Sequence, residues 1–288
     1  MSSQIDVLNP GVLERPKIFM PEKTASLAHS EWNLFLVGAG GTGSHAAGHI
    51  SRMMATPGIF SSRIGSLTII DGDHVEAKNV GRQNFTQKDV GKYKAERLAR
   101  RYSVAFGISI RYVNKFLVKG FLGENGSIAA GSLRTPTMFI GAVDDNKCRR
   151  LIYREIRKVA GQRRAVYWLD SGNGRTAGQV VWGNTADKNL ISSGVGNQFV
   201  EFIPYPPMVY PELVEINNKK EPALSCADAI MLEEQGPNIN AQMGLLLAEM
   251  LRQLIVGELT THTSVVNLDH IEILSQPITD AWLNQFRK

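Results

Sequence analysis

Apolar positions along the chain fall into two repeating textures. Leu34 to Val37 is a short apolar run that stops at a glycine-rich turn, and Ser44 to Ala55 then takes up a helical period with Ile50, Met53 and Met54 inward. The spacing predicts strand, turn, helix. The alternation returns at Leu67–Ile70 (strand), Lys92–Ala105 (helix), Ile108–Phe116 (strand), Thr137–Val143 (strand), Lys147–Ala160 (helix) and Ala165–Leu169 (strand). Strands alternating with helices predict an α/β fold built on a Rossmann-like, doubly wound, mainly parallel sheet with both faces covered. From Gly178 the texture changes. Gln179–Trp182 and Asn197–Ile203 read as strands in antiparallel company, so the sheet is expected to continue into a short antiparallel portion. A stretch with Pro204, Pro206, Pro207, Pro211 and Pro222 precedes a helix over Asn240–Val256, with Met243, Leu246, Leu247, Met250, Leu251 and Leu254 inward and Gly257 as its stop. Val265–Leu268 reads as a late strand.

Composition narrows the class. The 288 residues are 43% hydrophobic and 20% charged, which excludes a disordered chain. Two cysteines, Cys148 and Cys226, are too few for a disulfide framework or a four-cysteine zinc site, and a cytoplasmic setting is the default expectation. The first twenty residues carry Asp6, Glu14, Arg15 and Lys17 without an apolar core and read as no signal peptide; no apolar run reaches membrane-spanning length. Lys and Arg exceed Asp and Glu by 32 to 27, a mild excess that permits a phosphate-bearing partner without demanding one. The six histidines form no spaced metal cluster, and His45 and His49 read as packing or surface. The basic positions Lys147, Arg150, Arg154, Arg157 and Lys158 recur at helical spacing opposite Leu151, Ile152, Ile156 and Val159. They form a solvated face on which an acidic protein is an acceptable partner and nucleic acid is not expected.

The candidate chemistry starts at Gly38-Ala39-Gly40-Gly41-Thr42-Gly43, between a strand and a helix, where bare amides at a helix N-terminus approach a phosphate chain. Asp71, at the end of the second strand, suits a ribose hydroxyl in either a dinucleotide or an ATP site. The residues beyond Asp71 discriminate between them. Asp71-Gly72-Asp73 leads into Asn79-Val80-Gly81-Arg82-Gln83-Asn84 and then Gly91-Lys92-Tyr93-Lys94, and Asp144-Asp145-Asn146 through Arg150 comes after the strand ending at Val143. This series resembles the ubiquitin-activating-enzyme-like adenylating family that includes the ThiF and MoeB proteins. That family's pattern is a glycine loop, D-x-D, N-x-x-R-Q, G-x-x-K and D-N-x-x-x-R.

The resemblance implies ATP and Mg²⁺ as cofactors and adenylation of the C-terminal carboxylate of a small ubiquitin-like or sulfur-carrier protein. It places Gly38, Gly40, Gly41, Gly43, Asp71, Asp73, Asn79, Arg82, Gln83, Lys94 and Asp145 around the nucleotide. Asp71 would hold the ribose, Arg82 and Lys94 the phosphates as catalytic cations, and Asp145 the metal; Asn79 and Gln83 would orient the nucleotide side. Lys92 is the alternate phosphate contact, Asp144 the alternate metal ligand, and Arg150 the family arginine. Cys226, in Leu224-Ser225-Cys226-Ala227-Asp228, is the candidate nucleophile for a thioester, while Cys148 reads as packing. The implied organisation is an N-terminal arm over residues 1–30, an adenylation core over 31–183, a crossover region over 184–225, and residues 226–288 completing the same domain.

Two family features are missing. No C-x-x-C pairs exist, so no structural zinc is expected, and no R-Y-x-R-Q segment precedes the core, which leaves Arg15 as its nearest substitute. The short, zinc-free form is most similar to the ThiF-related proteins of the PRTRC cassette, and the family implies a homodimer. Other readings are activation of a non-protein carboxylate without a covalent intermediate, a nicotinamide-dependent oxidoreductase using only the glycine loop and Asp71, and an inactive binding module.

Overall fold

The computed structural model describes residues 15–20, 31–122, 136–160, 165–193, 198–215 and 236–287. Its elements in chain order are β1 (Ile18–Phe19), β2 (Trp32–Val37), α1 (Gly41–Ala55), α2 (Ile59–Ser62), β3 (Ile64–Ile70), α3 (Lys94–Phe106), β4 (Ile110–Val113), β5 (Thr137–Gly141), α4 (Asn146–Ala160), β6 (Val166–Asn173), β7 (Ala177–Gly183), α5 (Lys188–Ser193), β8 (Phe199–Val200), α6 (Pro206–Val209), α7 (Pro237–Val256), β9 (Thr261–Asn267), β10 (Glu272–Pro277) and α8 (Asp280–Asn284). Eight strands form one sheet in the order β10-β9-β7-β6-β5-β2-β3-β4. The five strands from β6 to β4 pair in parallel, and β7, β9 and β10 add antiparallel to the β6 side.

Burial on both faces explains the unbroken apolar strands. In β2, Leu34 and Leu36 join a core with α1, α3 and α7, while Phe35 and Val37 point the other way into a second core with Phe139, Ile152, Ile156 and Trp168. The residues Ile239, Met243, Leu247, Leu251 and Leu254 of α7 are buried beside Ala46, Ala47 and Ile50 of α1. Fully burying each of the larger side chains contributes roughly 2 kcal/mol.

Three local expectations change. Of the expected strand Asn197–Ile203, the described residues 198–203 do not extend the antiparallel portion; among them only Phe199 and Val200 are strand, and they pair in parallel with Ile18 and Phe19 in a separate two-stranded sheet. The described part of the arm, residues 15–20, is built into the fold, since Phe19 is fully buried against Trp182 and Tyr167, and Lys17 pairs with Asp280 at 2.8 Å. Finally, β10 follows β9 at the sheet edge, where its mostly exposed side chains leave no alternating pattern to read. Among the described residues no helix is long and apolar enough to cross a membrane.

The chain between β3 and α3 has no long helix or strand to hold it. Asp89 supplies the anchor. Its carboxylate accepts from Thr86 N and Oγ1, from Arg97 Nε at 2.8 Å and from Arg101. Asn84 adds a second tie, donating through its backbone N to Ser44 of α1 and through its side chain to Tyr102 of α3. Burial pushes the Asp89 carboxyl up, but the bonds from Thr86 and Arg97 and the Arg101 charge outweigh it and hold it at about 2.

Asp89→Asn is therefore expected to lower stability at pH 7 by about 2 kcal/mol, measured by urea unfolding. The folded-state carboxyl lies below its ordinary 3.8, so the stabilisation is complete above that pH and is lost as pH falls toward about 2. The gap between wild type and variant should shrink across that window.

Candidate functional site

The strand order reverses between β2 and β5: the chain runs from β2 outward to β3 and β4, then returns to the other side of β2. Such a switch opens a crevice at the carboxyl ends of the strands. Here it is a cleft of about 700 Å³. The glycine loop enters it directly from β2. Gly38 has φ +93°, and a Cβ there would stand 2.4 Å from the Ala142 carbonyl oxygen at the end of β5. Gly40 and Gly41 line the cleft beside Gly38, and Gly43 packs behind them against the Gly38 carbonyl. The first turn of α1 thus presents its amide end and positive dipole to the cleft.

Asp71 braces this loop. Its Oδ2 accepts from Ala39 N at 2.6 Å and its Oδ1 from Asp73 N at 2.7 Å. Burial pushes its carboxyl up, and the two backbone bonds and Lys94 oppose that rise. Lys94, at the start of α3, is buried and reaches half-exposed Asp73 at 3.2 Å. Both line the cleft, whereas Lys92, the alternate cation, is turned away to the Lys88 carbonyl. Asn79 is buried and closes its own turn by accepting from Glu76 N. Gln83 lines the cleft with a buried Oε1 that has no hydrogen-bond partner among the described residues. Arg82 is exposed at the cleft and forms no ion pair among the described residues.

The opposite wall comes from β5, α4 and β6. Asp144 and Asp145 are exposed at the cleft, and Asp145 accepts from Lys147 N at 2.8 Å as the α4 cap. Among the described residues no group of three or more His, Cys, Asp or Glu could hold a metal by itself. Two carboxylates beside space for phosphates do suit Mg²⁺, which is bound through one or two carboxylates, phosphates and water. The arginine turned into this wall is Arg149. It donates to Asp170 at 2.8 Å, to the Val143 and Ser171 carbonyls and to Asn146 Oδ1, while Arg150 is exposed and donates to the Val214 carbonyl. Burial pushes the Asp170 carboxyl up to about 6 despite Arg149.

The cleft therefore gathers Gly38, Gly40, Gly41, Asp71, Asp73, Asn79, Arg82, Gln83, Lys94 and Asp145. Cys226 lies outside the described residues. Arg15 is exposed on the β1 segment and does not line the cleft. Cys148 does line it, but burial first, and then Asp145 and Asp170, push its thiol up to about 11, which disfavours a thiolate. Lys115, Phe116, Arg149 and Asn173 also line the cleft and are not among the residues that the sequence pattern assigns to it. Lys115 and Phe116 follow the carboxyl end of β4, and position at a parallel strand's end was the available signal.

The model of the ThiF family matches residues 15–281, and the chain belongs to that family. No curated protein sequence matches significantly. Among solved structures, MccB of E. coli with MccA-N7isoASN superposes with a TM-score of 0.54 at 16% identity, covering 88% of this chain and 65% of that one. MccB of E. coli with ATP gives 0.51 at 18%, with the same coverages. PaaA gives 0.52 at 15%, again covering 88% and 65%. At these identities the likeness is one of fold. This chain spans just under two thirds of those structures' length.

Gly38→Ala is expected to destabilise the protein by about 2–4 kcal/mol, because its φ is positive and a backbone oxygen occupies the space the methyl needs. Urea unfolding measures the loss.

Proposed function

We propose that this ThiF-family chain is an ATP-dependent adenylyltransferase acting on the C-terminal carboxylate of a small ubiquitin-like or sulfur-carrier protein. The observation that carries the reading is the meeting, in one cleft, of an amide-rich helix start, Arg82, Lys94 and the paired carboxylates Asp144 and Asp145. A nicotinamide site has no use for that combination, whereas displacement at a phosphate requires it.

In the proposed step a carboxylate oxygen attacks the α-phosphorus of ATP. A new oxygen–phosphorus bond forms as the bond to the bridging oxygen breaks, and pyrophosphate leaves with the electron pair. The glycine-loop amides and the α1 dipole hold the phosphates, while Arg82 and Lys94 offset the charge that builds on them. Lys94 is already aimed by Asp73, so little reorganisation is needed. Asp71 keeps lone pairs for the ribose beyond the two backbone bonds it accepts. The buried Gln83 oxygen offers an acceptor on the nucleotide side. Asp145, with Asp144 beside it, would hold Mg²⁺, which supplies charge neutralisation at the phosphates.

MccB of E. coli has been solved with ATP, and MccB has also been solved with MccA, which supports a nucleotide and a small partner here. The resemblance to PRTRC-cassette proteins favours a ubiquitin-like partner, and the family habit favours a homodimer. Cys226 is the residue proposed to accept the acyl group as a thioester.

ATP–pyrophosphate exchange with a ubiquitin-like carrier tests the reading. It is expected to require the carrier's free C-terminal carboxylate and to fall about 100-fold or more in Arg82→Ala and in Lys94→Ala. Exchange unchanged in Asp145→Ala would overturn the metal assignment. Cys226→Ala should keep exchange and lose any thiol-labile adduct; an adduct that persists assigns the nucleophile elsewhere.

A further inference from the structure

Within the glycine loop, residues 38–43, only Ala39 and Thr42 carry a side chain. Besides the Gly38 N–H, which donates to the Ile70 carbonyl at 2.9 Å, the fold grips the loop at both of these positions. On one side Asp71 takes the Ala39 N–H at 2.6 Å. On the other, Thr42 Oγ1 donates to Asn173 Oδ1 at 2.9 Å, and Asn173 Nδ2 donates to Asn240 Oδ1 at 3.1 Å. Asn173 closes β6, and Asn240 lies in the first turn of α7 with only 1% of its surface exposed. The Asn240 amide also fills the space beside Gly41, where a Cβ would stand 2.5 Å from it. One chain of hydrogen bonds thus joins the start of α1, the end of β6 and the start of α7, and its members Thr42 and Asn173 face the cleft.

We infer that the Thr42–Asn173–Asn240 bridge positions the glycine-loop amides for the triphosphate, with Thr42 and Asn173 as positioning residues. A loop rich in glycine has many backbone states open to it, and each must be given up when phosphates bind. The bridge gives them up beforehand by fixing the loop from the β6 side while Asp71 fixes it from the β3 side. Removing the Thr42 hydroxyl frees the loop on one side and takes one donor from Asn173, without altering any group assigned to the reaction. Asn240 extends the restraint to α7, so the loop and the start of that helix move as one unit.

This inference rests on the adenylation reading, and the test separates the two. Calorimetric titration of the full chain with Mg²⁺ and a non-hydrolysable ATP analogue is run on wild type, Thr42→Ser, Thr42→Val, Asn173→Ala and the Thr42→Val/Asn173→Ala pair. Thr42→Ser keeps the hydroxyl and is expected to bind within twofold of wild type. Thr42→Val and Asn173→Ala are each expected to bind about 10-fold more weakly. The double variant should be no weaker than the weaker single one, because one bridge can be broken only once. A melting temperature for Thr42→Val within a few degrees of wild type separates lost positioning from lost folding. Should Asn173→Ala not fold, the valine and serine pair decides alone. Wild-type affinity in Thr42→Val, or a double variant whose loss is the product of the two, overturns the bridge. No binding by wild type overturns the nucleotide reading itself, and the bridge falls with it.

Discussion

At the end of β2 the backbone of Gly38 runs so near the Ala142 carbonyl that a methyl group would sit 2.4 Å from the oxygen. This approach follows from the reversal of strand order between β2 and β5, and the cleft exists because the chain leaves these neighbouring strands in different directions. The starts of α1 and α4 come to the same gap, one from each strand. Helix starts are electropositive, so the arrangement favours an anion before any side chain is considered. The side chains then refine it. Asp145 caps α4 and still faces the cleft, Asp71 ties the loop to β3, and Asn173 ties it to β6.

The charges around the cleft divide by depth. Arg149 is buried and committed to Asp170, two backbone carbonyls and Asn146, so it holds β5, β6 and α4 together. Exposed Arg82, Lys115 and Lys147 stand at the cleft with exposed Asp73, Asp144 and Asp145. Under the proposed function, fixing the deep pair while leaving the outer charges in solvent would let a phosphate chain and a metal recruit the outer set without disturbing the frame. The long segment carrying Asn79, Arg82 and Gln83 is kept in register by Asp89, bound to Arg97 and Arg101 of α3, and by Asn84, bound to α1 and α3. Its rigidity comes from charge pairing and hydrogen bonds, since little regular secondary structure runs through it.

Much of this was readable because the informative residues lie close together in sequence. Strands β2, β3, β5 and β6 are buried on both faces and show as apolar runs. The residues from Asp71 to Lys94 sit on one connection, so their order alone brought them to one cleft. The features that escaped depend on long separations or on very short elements. Strands β1 and β8 have two residues each, and β10 exposes both faces. The hydrogen bonds from Thr42 to Asn173 and on to Asn240 span 131 and 67 residues, which no local pattern reveals. Arg149 is an instructive miss. Motif spacing favours Arg150, yet Arg149, Ile152 and Ile156 share one helix stripe, and helical phase turns that stripe inward.

Whether the cleft takes ATP with a divalent metal is decided most directly by calorimetric titration of the wild-type chain with ATP plus Mg²⁺ and, separately, with NAD⁺ and NADH. An adenylating cleft is expected to show saturable binding of ATP that depends on the metal and weakens in Asp145→Ala, with no comparable heat from either nicotinamide nucleotide. Binding of NAD⁺ or NADH with none of ATP would contradict it and return the glycine loop and Asp71 to a dinucleotide site.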